Sequence, residues 1–354
     1  MSDTPDWPQL ISSLLAGRDL RVAEATWAME RIVTGEVASP TLAGFLVALR
    51  AKGETVDEIV GFRDAILANA QPLPLPVRAL DIVGTGGDGF KTVNVSTTAA
   101  LIIAAAGVPV AKHGNRAATS ASGASDVLGA LGVPLDLDGA ALARVFDQVG
   151  FTFVFASAFH RGFRFAAEAR SALGVPTVFN FLGPLVHPSR PDVNVIGVAG
   201  AAQVPLISGV LQTRGATALV VRSDDGMDEL STTGHTRIRE VSSGAVNEHD
   251  VHPSDVGLPV ARIDQLRGGT PEENAATIRR VLAGEGGPVR DIVLLNAAAG
   301  LVAWDLYEDP AAAERPMAKR LTEALQRAAQ VVDSGAAAAK LDAWVDAARS
   351  ASTG

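Results

Sequence analysis

The segment Leu80–Gly107, LDIVGTGGDGFKTVNVSTTAALIIAAAG, passes from an apolar run into four glycines within six residues. A polar run and a small-residue helical pattern follow. Glycines let a backbone approach an anion closely and turn several N–H groups inward. Asp88 is out of place in such a loop unless a cation or hydroxyl groups sit beside it. Thr92, Asn94, Ser96 and Thr97 lead into the helix, with Ser96 expected as its N-cap at the positive end of the dipole. A dinucleotide-binding turn would use Gly84, Gly86 and Gly89. However, FKTVNV delays the helix, and the next strand ends at Lys112-His113, where a ribose-binding acid should stand. A P-loop fails by one residue, because Phe90 separates Gly89 from Lys91. A longer diphosphate cradle fits the residues best, and the bland alternative is a glycine-rich turn with a capped helix.

A second loop adds positive charge. VPVAKHGNRAATSASG carries Lys112, His113, Asn115 and Arg116, then Thr119, Ser120 and Ser122 before another helix. In an open α/β sheet, ligands sit beyond the carboxyl ends of the strands. Two such loops facing one crevice make a site for a phosphorylated sugar. Lys112 and Arg116 alone would read as a solvated surface pair. A third loop, DDGMDE, places four acids in six residues after a strand. Asp228 and Glu229 would ordinarily be a solvated turn, but Mg²⁺ favours carboxylates together with retained water and substrate phosphates. Arg170 lies on the probable helix FRFAAEARSALG. It is expected either to pair with Glu168 or solvent, or to grip a carboxylate with its planar fork. His249 and His252 in EHDVHP lack a third metal ligand and are expected in a polar loop, as is the histidine of VHPSRP.

These loops need strands and helices to hold them. Residues 7–70 read as helices only. Ser39-Pro40 offers a helix start, and Thr55 with Glu58 fits a capping box. The proline-rich stretch Gln71–Arg78 is the natural boundary. Beyond it, short apolar strands alternate with Ala-rich helices. The strand candidates are Leu80–Val83, Val108–Ala111, Phe151–Phe155, Val193–Val198, Ala218–Val221 and Arg237–Val241, a pattern that predicts a largely parallel sheet covered on both faces. Aromatic residues are only 5% of the chain, so the helices must pack closely through Ala and Gly.

Composition narrows the class. The chain has 354 residues, 47% of them hydrophobic, with room for two domains. Its formal net charge of -9 argues against a general grip on nucleic acid. With no cysteine, thiolate metal sites and disulfides are excluded. The start MSDTPDWPQL does not read as a signal peptide, and the longest apolar stretches fall short of the roughly 20 residues a bilayer span needs. A soluble cytoplasmic protein without a membrane partner is expected.

Four motifs, GTGGDGFKTVNVST, KHGNRAATSASG, VFNFLGPL and DDGMDELSTTG, resemble in order and spacing the signatures of the anthranilate phosphoribosyltransferase family. The resemblance covers essentially the whole chain. It implies a small all-helical domain, 1–75, joined by a segment near 165–190, and a large α/β domain, 76–354, with a central, largely parallel sheet. It also implies a homodimer formed through the helical domain. The activity implied is Mg²⁺-dependent transfer of phosphoribose from phosphoribosyl pyrophosphate to the anthranilate amine, in tryptophan biosynthesis. Under this resemblance, Gly84, Gly87, Asp88, Thr92, Asn94, Val95, Ser96, Thr97, Lys112, Asn115 and Ser120 would hold phosphoribosyl pyrophosphate. Gly84, Asn115, Arg170, His113 and His160 would meet anthranilate, and Ser96, Asp228 and Glu229 would hold Mg²⁺. No residue is expected to act as a general acid or base. Two features depart from the family pattern: Ala117 and Ala124 replace frequent serines, and ASAFHRGFR replaces a proline-containing form around His160. A pyrimidine nucleoside phosphorylase-like enzyme is the alternative, but that family follows its lysine with KHS rather than KHGNR.

Overall fold

The computed structural model describes residues 5–76, 78–115 and 124–352. Four helices come first: α1 (Trp7–Leu15), α2 (Val22–Thr34), α3 (Ser39–Lys52) and α4 (Val56–Ala68). The capping box at Thr55 forms as expected: Thr55 Oγ1 accepts from the Glu58 N–H, and Glu58 accepts from the Thr55 N–H. The start of α3 lies one residue earlier than expected, with Ala38 as N-cap and Ser39 already helical.

The following chain builds a seven-stranded sheet. Its strands are β1 (Leu80–Gly84), β2 (Val110–Gly114), β3 (Phe151–Phe155), β4 (Val193–Gly197), β5 (Thr217–Ser223), β6 (Thr236–Ser242) and β7 (Ala245–Val251). Their order is β3-β2-β1-β4-β5-β6-β7. Pairings from β3 through β5 are parallel, and those of β6 and β7 are antiparallel. The chain leaves β1 towards β2 and β3, then returns to lay β4 on the other side of β1. Such a reversal opens a crevice at the carboxyl ends of the two neighbours. Gly84 and Gly197, the last residues of β1 and β4, are partners across it.

Two apolar cores flank the sheet. One gathers the buried faces of β1, β2 and β3 with the long helix Pro288–Glu308 and the C-terminal helices. Within it, Phe151 meets Trp344 edge-on at 4.7 Å. The other joins α1–α4 to Ala166, Ala169, Phe179, Leu182 and Leu185, and to Ile196 and Val220 on the opposite sheet face. Its aromatic centre is Trp7, Phe45 and Phe62 in edge contacts.

The strand bounds differ from expectation at two places. β2 begins two residues later than the candidate Val108–Ala111 and runs on to Gly114, so Lys112 and His113 lie inside the strand rather than at its end. β7 was not expected at all, because its face is mostly polar and exposed. It corrects the loop reading of His249, which lies in β7 with its Nε2 3.8 Å from the Glu240 carboxylate. Glu240 is buried and pairs at 2.5 Å with buried Arg320, tying β6 to the helix Met317–Asp333. Among the described residues, no helix is long and apolar enough to cross a membrane.

Candidate active site

A cleft of about 380 Å³ opens at the β1/β4 reversal. The loop Thr85–Asn94 forms one wall. Gly86, Gly87 and Gly89 all hold positive φ, between 71° and 86°, which keeps the backbone folded around the opening. The helix α5 (Val95–Ala105) begins at the loop's end and points its positive terminus at the cleft. Asn94, not Ser96, is the N-cap: its carbonyl accepts the first helical bond, from Thr98 at 3.1 Å. Ser96 therefore sits inside the first turn beside Thr97, and Val95, also lining the cleft, is almost wholly buried.

Asp228 and Glu229 enter from the loop after β5. Asp228 fills the space above the two terminal glycines. A Cβ at Gly84 would lie 2.2 Å from Asp228 Oδ2, and one at Gly197 would lie 1.6 Å from the Asp228 carbonyl oxygen. The Gly86 N–H donates to Asp228 Oδ2 at 2.7 Å. Burial, with the Asp88 carboxylate close by, pushes the Asp228 carboxyl up to about 7. Glu229 is raised well above its ordinary value by desolvation and then by Asp228, while Lys112 and the Ser96 N–H oppose that rise. These carboxylates are uncomfortable as anions without a cation, so the set fits Mg²⁺. Among the described residues, no three His, Cys, Asp or Glu side chains form a ready metal cage. A cation here would therefore share its coordination with a phosphorylated ligand.

Lys112 is fully buried beneath this wall. Its Nζ donates to the Ile82 carbonyl at 2.7 Å and more weakly to the His113 carbonyl. Burial lowers its pKa, while Asp81, Glu229 and Asp228 oppose the shift. Lys112 is thus held within the sheet by two backbone carbonyls, not carried on a mobile loop. Its neighbour Asp81 is also buried and pushed up to about 7 by desolvation.

The far wall comes from residues 156–186. His160 packs face-on against Phe163 at 5.6 Å and edge-on to His113 at 5.8 Å. His187 completes the stack, 5.1 Å from His113. It lies in a loop, as expected, but that loop is packed and the imidazole is buried. Its Nε2 bonds the Ala111 carbonyl at 3.0 Å, and Nδ1 accepts the Ser189 N–H at 3.1 Å. Desolvation lowers all three imidazoles: His160 to about 4, His187 to about 3, and His113 well below its ordinary value. This wall is therefore neutral and aromatic.

Arg170 lies on the helix Ala167–Leu173, with its guanidinium 5.3 Å from the Phe179 ring. Among the described residues it meets no carboxylate, so the pairing with Glu168 does not form. Burial lowers its pKa. Asn115, at the cleft's rim, accepts from Ser157 Oγ at 3.0 Å, which uses a residue of the unusual ASAFHRGFR segment.

Of the expected site residues, Gly84, Gly87, Asp88, Thr92, Asn94, Val95, Ser96, Thr97, Lys112, His113, Asn115, His160, Arg170, Asp228 and Glu229 all line this one cleft. Ser120 lies outside the described residues, as do Arg116 and Ala117. Sequence reasoning missed the supports behind the cleft. Buried Asn296, on the helix Pro288–Glu308, accepts the Leu230 N–H at 3.0 Å and donates to the Leu230 carbonyl at 2.9 Å, pinning the residue after Glu229. The segment Leu266–Gly268 props the cradle from below. Only GGTPEEN, a glycine pair running into a capped helix, could have signalled it.

Two family profiles match the chain: a glycosyl transferase family helical bundle domain over residues 8–70, and a glycosyl transferase family a/b domain over residues 77–338. An anthranilate phosphoribosyltransferase of Leifsonia xyli subsp. xyli is 59% identical, covering 99% of this chain and all of that one. The crystal structure of anthranilate phosphoribosyltransferase from Thermus thermophilus is 41% identical with a TM-score of 0.86, covering 96% of this chain and 99% of that one. The Saccharomyces cerevisiae enzyme in complex with PRPP (phosphoribosyl pyrophosphate) and Mg is 28% identical with a TM-score of 0.84, covering 97% and 98% of the two chains.

Proposed function

The chain belongs to the anthranilate phosphoribosyltransferase family, and from that premise we propose how its cleft performs the family's reaction. The amine nitrogen of anthranilate bonds to C1 of phosphoribosyl pyrophosphate, the bond from C1 to the diphosphate oxygen breaks, and the nitrogen then loses a proton to water. This transfer serves tryptophan biosynthesis. One observation carries the assignment of roles: a glycine cradle, the acidic pair Asp228 and Glu229, and an arginine that meets no carboxylate among the described residues converge on one cleft.

The aromatic amine is neutral at pH 7 and needs no strong base. The demand is to position it and to stabilise charge on the departing diphosphate. The turned N–H groups of Gly87–Gly89 and the start of α5 accept the diphosphate, with Thr92, Asn94 and Thr97 along the ribose and its phosphate. Mg²⁺, held by Asp228, Glu229 and the Ser96 hydroxyl, supplies positive charge against the diphosphate when bound. Lys112 adds a fixed positive potential from beneath. Arg170 receives the anthranilate carboxylate through its planar fork. The neutral wall of His113 and His160 flanks the ring, and Asn115 spans the two substrates. Neutral imidazoles suit this wall, because a charged one would compete with Arg170 for the carboxylate.

The helical part, 1–75 together with the segment near 165–190, forms one domain and the rest of 76–354 the other. Two copies pair through the helical domain, and the protein works in the cytoplasm. Exposed Leu15 and Val47 on α1 and α3 support such a pairing face. The acidic pair favours this reaction over nucleoside phosphorolysis, which needs no divalent cation for a diphosphate.

The test follows anthranilate fluorescence with phosphoribosyl pyrophosphate and Mg²⁺. Consumption of anthranilate with equal release of pyrophosphate supports the reading. No consumption, with phosphorolysis of a pyrimidine nucleoside instead, overturns it.

A further inference from the structure

The cradle's polar run is held by a second run of chain that does not line the cleft. Thr92 forms an antiparallel bridge with Arg267. The Val93 N–H donates to the Leu266 carbonyl at 3.0 Å, and the Gly268 N–H donates to the Lys91 carbonyl at 2.9 Å. This strap enters the helix Pro271–Leu282 through a capping box, in which Thr270 Oγ1 accepts from Glu273 and Glu273 accepts from the Thr270 N–H. In the helix's first turn stands Asn274, only 2% exposed and absent from the cleft's lining.

Asn274 has a fixed orientation. The Gly269 N–H, a donor that cannot reverse, donates to Asn274 Oδ1 at 2.8 Å. The amide's other end, Nδ2, therefore faces Asn94 and donates to Asn94 Oδ1 at 3.1 Å. The same reasoning then fixes Asn94: its oxygen is turned to Asn274, and its NH₂ is the opposite end of a side chain that lines the cleft. An asparagine flipped the other way would offer an acceptor oxygen to phosphate oxygens, which can only accept, and repel them. The α5 cap geometry agrees, because the Asn94 side chain makes no capping bond to its own helix.

Building on the phosphoribosyl-transfer reading above, we propose that Asn274 is a positioning residue: through Asn94 it sets which end of an amide meets the phosphoribosyl donor. Asn274 touches no substrate, so its effect is confined to the donor side of the reaction.

The variant Asn274→Asp tests this with little change of shape. One aspartate oxygen still accepts the Gly269 N–H. The other now requires a donor from Asn94, which reverses the Asn94 amide. A lost and inverted hydrogen bond to a charged ligand corresponds to a change of roughly tenfold or more. Steady-state kinetics on the full chain with saturating Mg²⁺ should show KM for phosphoribosyl pyrophosphate raised at least tenfold, with KM for anthranilate within about twofold of the parent. A structural role alone would not split the two constants. Asn94→Ala and the double variant complete a cycle. Once Asn94 is gone, Asn274→Asp should add little, because the two act as one unit. Unchanged donor KM in a folded Asn274→Asp enzyme overturns the proposal. So does an effect that persists undiminished in the Asn94→Ala background, or a rise shared equally by both substrates. Activity of the parent chain on both substrates keeps the family reading separate from this result. Should Asn274→Asp not fold, Asn274→Gln, which keeps the amide but misplaces it, is measured in the same cycle.

Discussion

Substituting Gly84 by alanine should disable the acidic pair without touching any side chain of the site. The added Cβ would lie 2.2 Å from Asp228 Oδ2 and 2.8 Å from its Cγ. Ordinary contact begins at 3.4 Å, so the carboxylate must retreat by about 1.2 Å (3.4 minus 2.2). It cannot retreat sideways over β4, because the Asp228 backbone already fills the space above Gly197. The movement therefore breaks the 2.7 Å bond from the Gly86 N–H. A hydrogen bond to a charged group contributes about 1.5–3 kcal/mol, or roughly 10–100-fold. The Mg²⁺ concentration giving half-maximal activity should rise by that factor, read from anthranilate fluorescence at saturating phosphoribosyl pyrophosphate. Because displacement of Asp228 is the whole cause, Asp228→Asn should add little in the Gly84→Ala background. A Gly84→Ala enzyme with the parent's Mg²⁺ response would refute the argument that this glycine is required by the carboxylate above it.

Arg170 and the buried histidines give two further expectations. Arg170→Lys should raise KM for anthranilate about as much as Arg170→Ala, on the order of tenfold or more, because an ammonium can neither fork to a carboxylate nor stack on Phe179 in the same way. Rescue by lysine in steady-state kinetics would contradict the forked grip. His187 is neutral in the fold, its pKa pushed down to about 3 by burial, whereas the unfolded imidazole binds a proton near 6.5. Between those values the unfolded chain holds more protons, so this residue costs stability as the pH falls. At pH 5 the gap from 6.5 is about 1.5 units, or about 2 kcal/mol. His187→Gln should therefore gain about 2 kcal/mol relative to the parent between pH 7.5 and pH 5 in urea unfolding. Carboxylates with the opposite tendency, such as Asp81, are common to both proteins and cancel in this difference. A difference that does not change with pH would show that the imidazole titrates freely.

Local chemistry was readable where it repeats in short range. The capping box at Thr55, the strand Phe151–Phe155 and the glycine loop before α5 follow from neighbouring residues, and they stand where the pattern put them. The register of β2 did not, because Val108-Pro109 continues the apolar run while the pairing with β1 starts only at Val110. The strand's continuation to Gly114 makes Lys112 a buried strand residue rather than a loop cation, which no periodicity could show. β7 is an edge strand with a polar face, so it carries no hydrophobic alternation to detect. The cleft's supports, Asn274, Asn296 and His187, are far in sequence from what they hold. Each is a single polar residue in an otherwise ordinary segment, and its partner is set by tertiary packing alone.

The most direct test of the account is anomalous diffraction from Mn²⁺ bound with phosphoribosyl pyrophosphate in crystals of the full chain. Mn²⁺ replaces Mg²⁺ on oxygen ligands and can be located without reference to the protein density. The account predicts manganese bonded to the carboxylates of Asp228 and Glu229, with the diphosphate over Gly86–Gly89 and the start of α5. Manganese held elsewhere in the cleft, with both carboxylates left uncoordinated, would contradict it.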